Sequence, residues 1–129
     1  MRHLKEIIAE IESYESDDGN WLRLDKLAIE LWESGKPELG IDALFGIFEK
    51  YPTDDGAGVF WTILHGLETL DYEKQLYDSL MDKPSYMSIT MLKRIENTNS
   101  ELIAGKSIME LKEFIKNSPN TELELLDDL

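Results

Sequence analysis

The chain has no cysteine, only two histidines, and 13 basic residues against 27 acidic ones in a length of 129. Without cysteine there can be no disulfide scaffold, no thiolate nucleophile and no cysteine-ligated zinc. The shortage of lysine and arginine leaves a net charge of −14. Such a chain is poorly suited to neutralising the phosphates of DNA or RNA, or to docking on an anionic lipid surface. No run approaches 18 uncharged apolar residues, so no membrane-spanning helix is expected. Met1-Arg2-His3-Leu4-Lys5-Glu6 lacks the apolar stretch of a signal peptide. These absences lead to the expectation of a cytoplasmic protein with no nucleic-acid or membrane partner, no metal and no cofactor.

What is present is ample apolar material. Hydrophobic residues make up 42% of the chain and charged residues 31%. That is too apolar for disorder and enough for one domain with its own core. Charge is unevenly spread. Residues 1–20 carry two bases and six acids, residues 21–83 carry six and thirteen, residues 84–116 carry five and four, and residues 117–129 carry no base and four acids. A single helical domain is expected over 1–117, followed by an acidic C-terminal tail over 118–129. The tail either frays or adds a short final helix.

The apolar period is helical almost throughout. Leu4, Ile7, Ile8, Ile11 and Tyr14 form one stripe. Trp21, Leu24, Leu27, Ala28 and Leu31 form a second, with Asn20 as its N-cap and Gly35 and Pro37 as its end. Ile41, Leu44, Phe45 and Phe48 define a third helix, broken at Tyr51-Pro52. Asp54 or Asp55 caps a fourth, built on Val59, Phe60, Ile63, Leu64 and Leu67. Asp71 is expected to cap a fifth, and Pro84 to sit in the first turn of a sixth. Ser107 and Glu110 form a capping box at the start of a seventh.

The fold class is therefore all-α, about seven helices in antiparallel hairpins. Hairpins beginning near residues 4, 39 and 72 have the spacing of a HEAT-like α-solenoid, although they do not match residue by residue. A mixed fold with a buried strand at Gly58–Leu64 is the alternative.

Chemistry is thinly signalled. Gly56-Ala57-Gly58 follows two aspartates and precedes no lysine, so a phosphate loop is disfavoured and helix entry is the better reading. His65 and Glu68 share a helical face, but a metal needs more ligands than they supply. A partly buried, satisfied His65 is expected instead. Ser85, Ser88 and Thr90 have no neighbouring base and no Gly-x-Ser-x-Gly elbow. Carboxylates are abundant, yet nothing marks out one pair for acid–base work. No catalytic residue is assigned, and a hydrolase using an unmarked carboxylate pair is the weakest reading.

Recognition is the alternative to chemistry. Trp21 and Trp61 fall in apolar stripes and read as core. Trp32 lies off its stripe and reads as half-exposed, the usual disposition of an interface anchor. Glu10, Glu12, Glu15, Asp17 and Asp18 form the densest acidic run, joined by Glu30, Glu33 and Glu38 if the first two helices pack together. Such a run is usually a solvated face. It can also mimic phosphates and attract a basic protein.

The stretch from Tyr51-Pro52-Thr53-Asp54-Asp55-Gly56 through Phe60-Trp61, His65-Gly66-Leu67-Glu68, Lys83-Pro84-Ser85 and Met91-Leu92-Lys93-Arg94 resembles small helical immunity proteins. These accompany bacterial polymorphic toxins of the contact-dependent inhibition and Rhs types. The resemblance spans about residues 45–97. It implies binding and neutralising one cognate toxin domain, with no catalysis, and transfers no residue roles. The expected partner-binding residues come from charge and exposure: Glu12, Glu15, Asp17, Asp18, Trp32, Asp54 and Asp55. The alternative is a helical-repeat adaptor that holds a peptide or protein in a groove.

Overall fold

The computed structural model describes residues 3–16 and 20–129. Among these are seven α-helices: α1 (Leu4–Glu12), α2 (Leu22–Glu33), α3 (Ile41–Lys50), α4 (Val59–Leu67), α5 (Glu73–Asp82), α6 (Tyr86–Glu96) and α7 (Ile108–Asn117). Short 3-10 turns at Pro37–Gly40 and Gly56–Gly58 lead into α3 and α4, and a third spans Leu123–Asp128.

The helices stack in two layers. In one layer α1 packs on α3, α3 on α5 and α5 on α7; in the other α2 packs on α4, α4 on α6 and α6 on the Leu123–Asp128 turn. The pairs α1–α2, α3–α4 and α5–α6 are successive antiparallel hairpins, each laid on the one before. This is the all-α hairpin stack expected from the apolar period. The hairpins open at Leu4, Ile41 and Glu73, close to the expected starts.

Sequence explains most of the helix ends. Ser85 and Ser88 form a reciprocal capping box at α6: Ser88 N–H donates to Ser85 Oγ at 3.0 Å and Ser85 N–H to Ser88 Oγ at 2.9 Å. Ser107 Oγ accepts Glu110 N–H at 3.2 Å to start α7. Asn20 Oδ1 accepts Leu22 N–H at 3.1 Å, so it caps α2 from one residue outside the N-cap position, which Trp21 occupies. Three expected caps fall elsewhere. Neither Asp54 nor Asp55 caps α4, whose N-cap position is Gly58 with no side-chain bond, because the 3-10 turn comes first and Asp55 caps that turn instead. Pro84 precedes the first turn of α6 because the serine box starts the helix later. Asp71 lies outside α5, whose N-cap position is Tyr72, with no side-chain cap bond.

The expected alternative strand at Gly58–Leu64 is helical. Strand structure lies instead at β1 (Leu102–Ile103) and β2 (Lys106–Ser107), an antiparallel pair. Ala104 (φ 49°) and Gly105 (φ 78°) turn between them, the two-residue geometry that matches strand twist.

The core is continuous from α1 to Leu125. At its centre Trp21 meets Tyr51 and Phe60 edge-on, both at 5.0 Å between ring centroids, and Phe48 lies 5.2 Å from Phe60. Each buried Leu, Ile or Phe side chain contributes roughly 1.5–3 kcal/mol of transfer free energy, so the stripes that define the helices also bind the two layers. Residues 118–129 are tied into this body. Thr121 and Leu125 are buried, and Thr121 Oγ1 donates to Ile115 O at 2.8 Å. No helix among the described residues is long and apolar enough to cross a membrane.

Candidate functional site

Stacked hairpins place their internal loops side by side, and five hydrogen bonds show this edge directly. Ser16 N–H donates to the Tyr51 hydroxyl at 2.8 Å, and Lys50 Nζ donates to Tyr14 O at 2.6 Å. These join the α1–α2 loop to the α3–α4 loop. Tyr86 N–H donates to Pro52 O at 2.6 Å, joining the α3–α4 loop to the start of α6. Lys83 Nζ donates to Asn120 O and Glu122 Oε1, each at 3.0 Å, adding the connection after α7.

Four of the seven expected partner-binding residues are described at this edge or in the loops that make it. Glu12 ends α1, Glu15 follows it, and both are exposed. Asp17 and Asp18 lie outside the described residues, between Ser16 and Asn20. Asp54 and Asp55 are exposed on the α3–α4 loop. Each spends one oxygen on the chain: Asp54 Oδ1 accepts Gly56 N–H at 2.8 Å and Asp55 Oδ1 accepts Ala57 N–H at 3.2 Å. Among the described residues no ion pair involves Glu12, Glu15, Asp54 or Asp55. Other residues do form ion pairs at or next to this edge, Lys83–Glu122 and Arg23–Glu10, whereas Lys74–Asp78, Arg94–Glu68 and Lys112–Glu96 lie elsewhere.

The expected addition of Glu30, Glu33 and Glu38 to this run does not hold at the edge. The pair Arg23–Glu10 shows that α2 begins beside the end of α1, so Glu33 and Glu38 lie at the far end of the hairpin. Trp32 is carried there too, one residue before the end of α2. It is half-buried, as its displaced position in the stripe implied.

Trp32 instead meets α4. A Cβ on Gly66 would come within 2.4 Å of Trp32 Cζ2. The outward face of α4 carries Trp61, His65 and Glu68 at helical spacing. Trp61 is half-buried, not the core residue its stripe suggested, because position 61 lies one step from the buried line of Phe60, Ile63, Leu64 and Leu67. Its ring centroid is 6.3 Å from that of Tyr86 and 6.5 Å from that of His65. The His65 side chain is 62% exposed, against the expectation of partial burial, and its Nδ1 is 3.7 Å from Glu68 Oε1. Glu68 accepts two bonds from Arg94, from Nε at 2.7 Å and from an η nitrogen at 2.9 Å. The Arg94 hydrogen bond holds the Glu68 carboxyl below its ordinary value, with burial opposing it.

A shallow cleft of about 300 Å³, lined by Thr53, Asp54, Asp55 and Tyr86, joins this aromatic face to the loop edge. Sequence reasoning missed Tyr86, since it opens a helix without standing out from the stripe. The signal was available in retrospect: Trp61, His65 and Glu68 repeat at three and four residues on one polar-aromatic line.

One other carboxyl is perturbed. Burial raises Glu49 above its ordinary value, the neighbouring Asp82 and Asp42 add to the rise, and the Ser79 hydroxyl, which donates at 2.7 Å, opposes it. It lies between α3 and α5, away from every cleft described above. Among the described residues no group of three or more His, Asp or Glu side chains is arranged to hold a metal. Comparison with known protein families, curated proteins and solved structures finds no match.

Proposed function

We propose that this protein is an immunity protein: it binds a basic toxin domain in the cytoplasm and blocks its active or substrate-binding surface. The observation that carries the reading is the loop edge. Folding brings Glu12, Glu15, Asp54 and Asp55 toward one end of the hairpin stack, and among the described residues none of the four is in an ion pair, although Lys50 and Lys83 stand on the same edge. A coherent negative surface attracts a cationic partner at long range and speeds its association. A toxin that handles nucleic acid must itself be basic, and fixed carboxylates then compete for the groups that would hold phosphate. The resemblance over residues 45–97 supports the same class.

A rigid scaffold suits the role. Hydrogen bonds of Tyr51, Lys50 and Pro52 tie Tyr14, Ser16 and the α3–α4 loop to the body of the stack, which lowers the ordering cost of binding there.

The test is co-expression with the toxin domain encoded beside this gene. Restored growth and a stable one-to-one complex support immunity. Unchanged killing rejects it. The second reading, an adaptor built on stacked helical hairpins, is favoured by the two-layer stack alone. It predicts a complex with a partner that is not toxic.

A further inference from the structure

The outward face of the α2–α4–α6 layer has the composition of a binding centre. Trp32 from α2, Trp61 and His65 from α4, and Tyr86 from α6 share it, all partly or fully accessible. Tryptophan and tyrosine in half-open positions anchor interfaces because they bury large areas with few rotors to freeze. Other exposed apolar side chains are scattered, Leu22 at the start of α2, Met109 on α7 and Leu123 on the last turn, while Phe114 of α7 lines a separate cleft with Tyr77 and Met81 that holds no tryptophan.

The charge beside this face selects the occupant. Asp54 and Asp55 line the cleft that ends on the Tyr86 ring. A guanidinium entering there meets two carboxylates and an aromatic ring together. Ion pairing and cation–π attraction then act on the same group. The net charge of −14 draws such a group in and repels an acidic competitor.

We infer that the α2–α4–α6 face is the docking surface for an arginine-rich segment of a protein partner, with Trp32, Trp61 and Tyr86 as anchors and Asp54 and Asp55 as charge contacts. It would serve the same cationic partner as above, and so rests on that reading. It differs in placing the contact centre on the aromatics, with the loop-edge carboxylates as its border.

The experiment titrates the full chain with a nine-residue arginine peptide at low salt and follows the tryptophan indole N–H signals by NMR. The indoles of Trp32 and Trp61 should shift and saturate, while that of buried Trp21 stays still. Thr62 is exposed on α4, one turn before Gly66, so Thr62→Arg puts a repelling charge on the face without touching the core. Met109→Arg adds the same charge to exposed α7 and serves as its control. Thr62→Arg should weaken binding about tenfold and Met109→Arg less than twofold. Equal weakening by the two variants, shifts confined to residues 122–128, or no saturable binding overturns the inference. Failed rescue with intact indole shifts removes the toxin reading and keeps the face. Rescue without indole shifts does the reverse.

Discussion

The Tyr51 hydroxyl accepts the backbone N–H of Ser16 at 2.8 Å, linking loops 35 residues apart in sequence. The same ring packs edge-on against Trp21. One side chain therefore ties the two acidic loops both to each other and to the core, beside the Lys50–Tyr14 bond. Tyr51→Phe keeps the ring and removes the acceptor. It should cost about 1 kcal/mol, the usual value of one part-buried hydrogen bond. Urea unfolding gives the cost. Faster amide exchange at Ser16 alone would show that the loss is local.

Gly66 and Trp32 make a second dependence. An added Cβ at Gly66 would meet the Trp32 ring at 2.4 Å, so Gly66→Ala must displace that ring. Alanine is the better helix former by about 1 kcal/mol, which offsets part of the steric cost. The expected result is little change in stability, a red-shifted tryptophan emission and lower affinity at the α2–α4–α6 face. In a Trp32→Ala background the same substitution should stabilise by up to about 1 kcal/mol, since only the propensity gain remains. Equal effects in both backgrounds would show that the two residues are not coupled.

The hairpin stack was legible because stripes such as Leu4-Ile7-Ile8-Ile11 and Trp21-Leu24-Leu27-Leu31 hold the helical period; only Gly58–Leu64 left a strand open, and the continuation to Leu67 at helical spacing is what the helix α4 resolves. The β1–β2 pair was not legible, since two-residue strands cannot show alternation. The acidic residues were readable as types but not as a group: nothing local says that Glu15 and Asp54 share an edge, because the contact between Ser16 and Tyr51 is tertiary. Trp61 and His65 were misplaced for a related reason. A stripe one residue wide on a helix separates buried from half-open by 100°, and only the packing of α2 and α6 decides where that boundary falls.

Glu49 gives a pH signature of opposite sign to an ordinary paired carboxylate. Its folded value lies above 4.5, so across that window the folded chain holds more protons than the unfolded one. Stability then falls as pH rises through the window, and the full penalty applies above it. Glu49→Gln keeps an acceptor for Ser79 and cannot ionise. It should stabilise the fold at pH 7, and the gain should vanish below about pH 4.5. Thermal unfolding of both proteins from pH 4 to pH 8 measures this, and a gain that stays constant with pH would refute the burial explanation.

Entry into α4 is strained on purpose of geometry. Gly56, Ala57 and Gly58 all have positive φ, at 59°, 53° and 92°. A Cβ on Gly56 would also meet the Phe60 ring at 2.5 Å. Gly56→Ala combines the left-handed penalty of about 1–2 kcal/mol with a clash against a buried ring. A loss of about 2–4 kcal/mol is expected. Gly58→Ala has open space and should show the conformational term alone. Chemical denaturation of the two variants separates conformation from packing.

Asp54 and Asp55 combine a structural role with a charge, and the two can be separated. Each accepts a backbone N–H through one oxygen, a task that an asparagine oxygen performs equally well. Replacing both by asparagine should therefore keep stability within about 0.5 kcal/mol, whereas replacing both by alanine should cost about 1 kcal/mol per position. The asparagine pair nonetheless removes two negative charges from the cleft beside Tyr86. Its association with the arginine peptide should slow several-fold at low salt, with the difference shrinking near physiological ionic strength as the field is screened. Stopped-flow mixing at two salt concentrations reads this directly. An unchanged rate would mean that these carboxylates serve only to shape the turn that leads into α4.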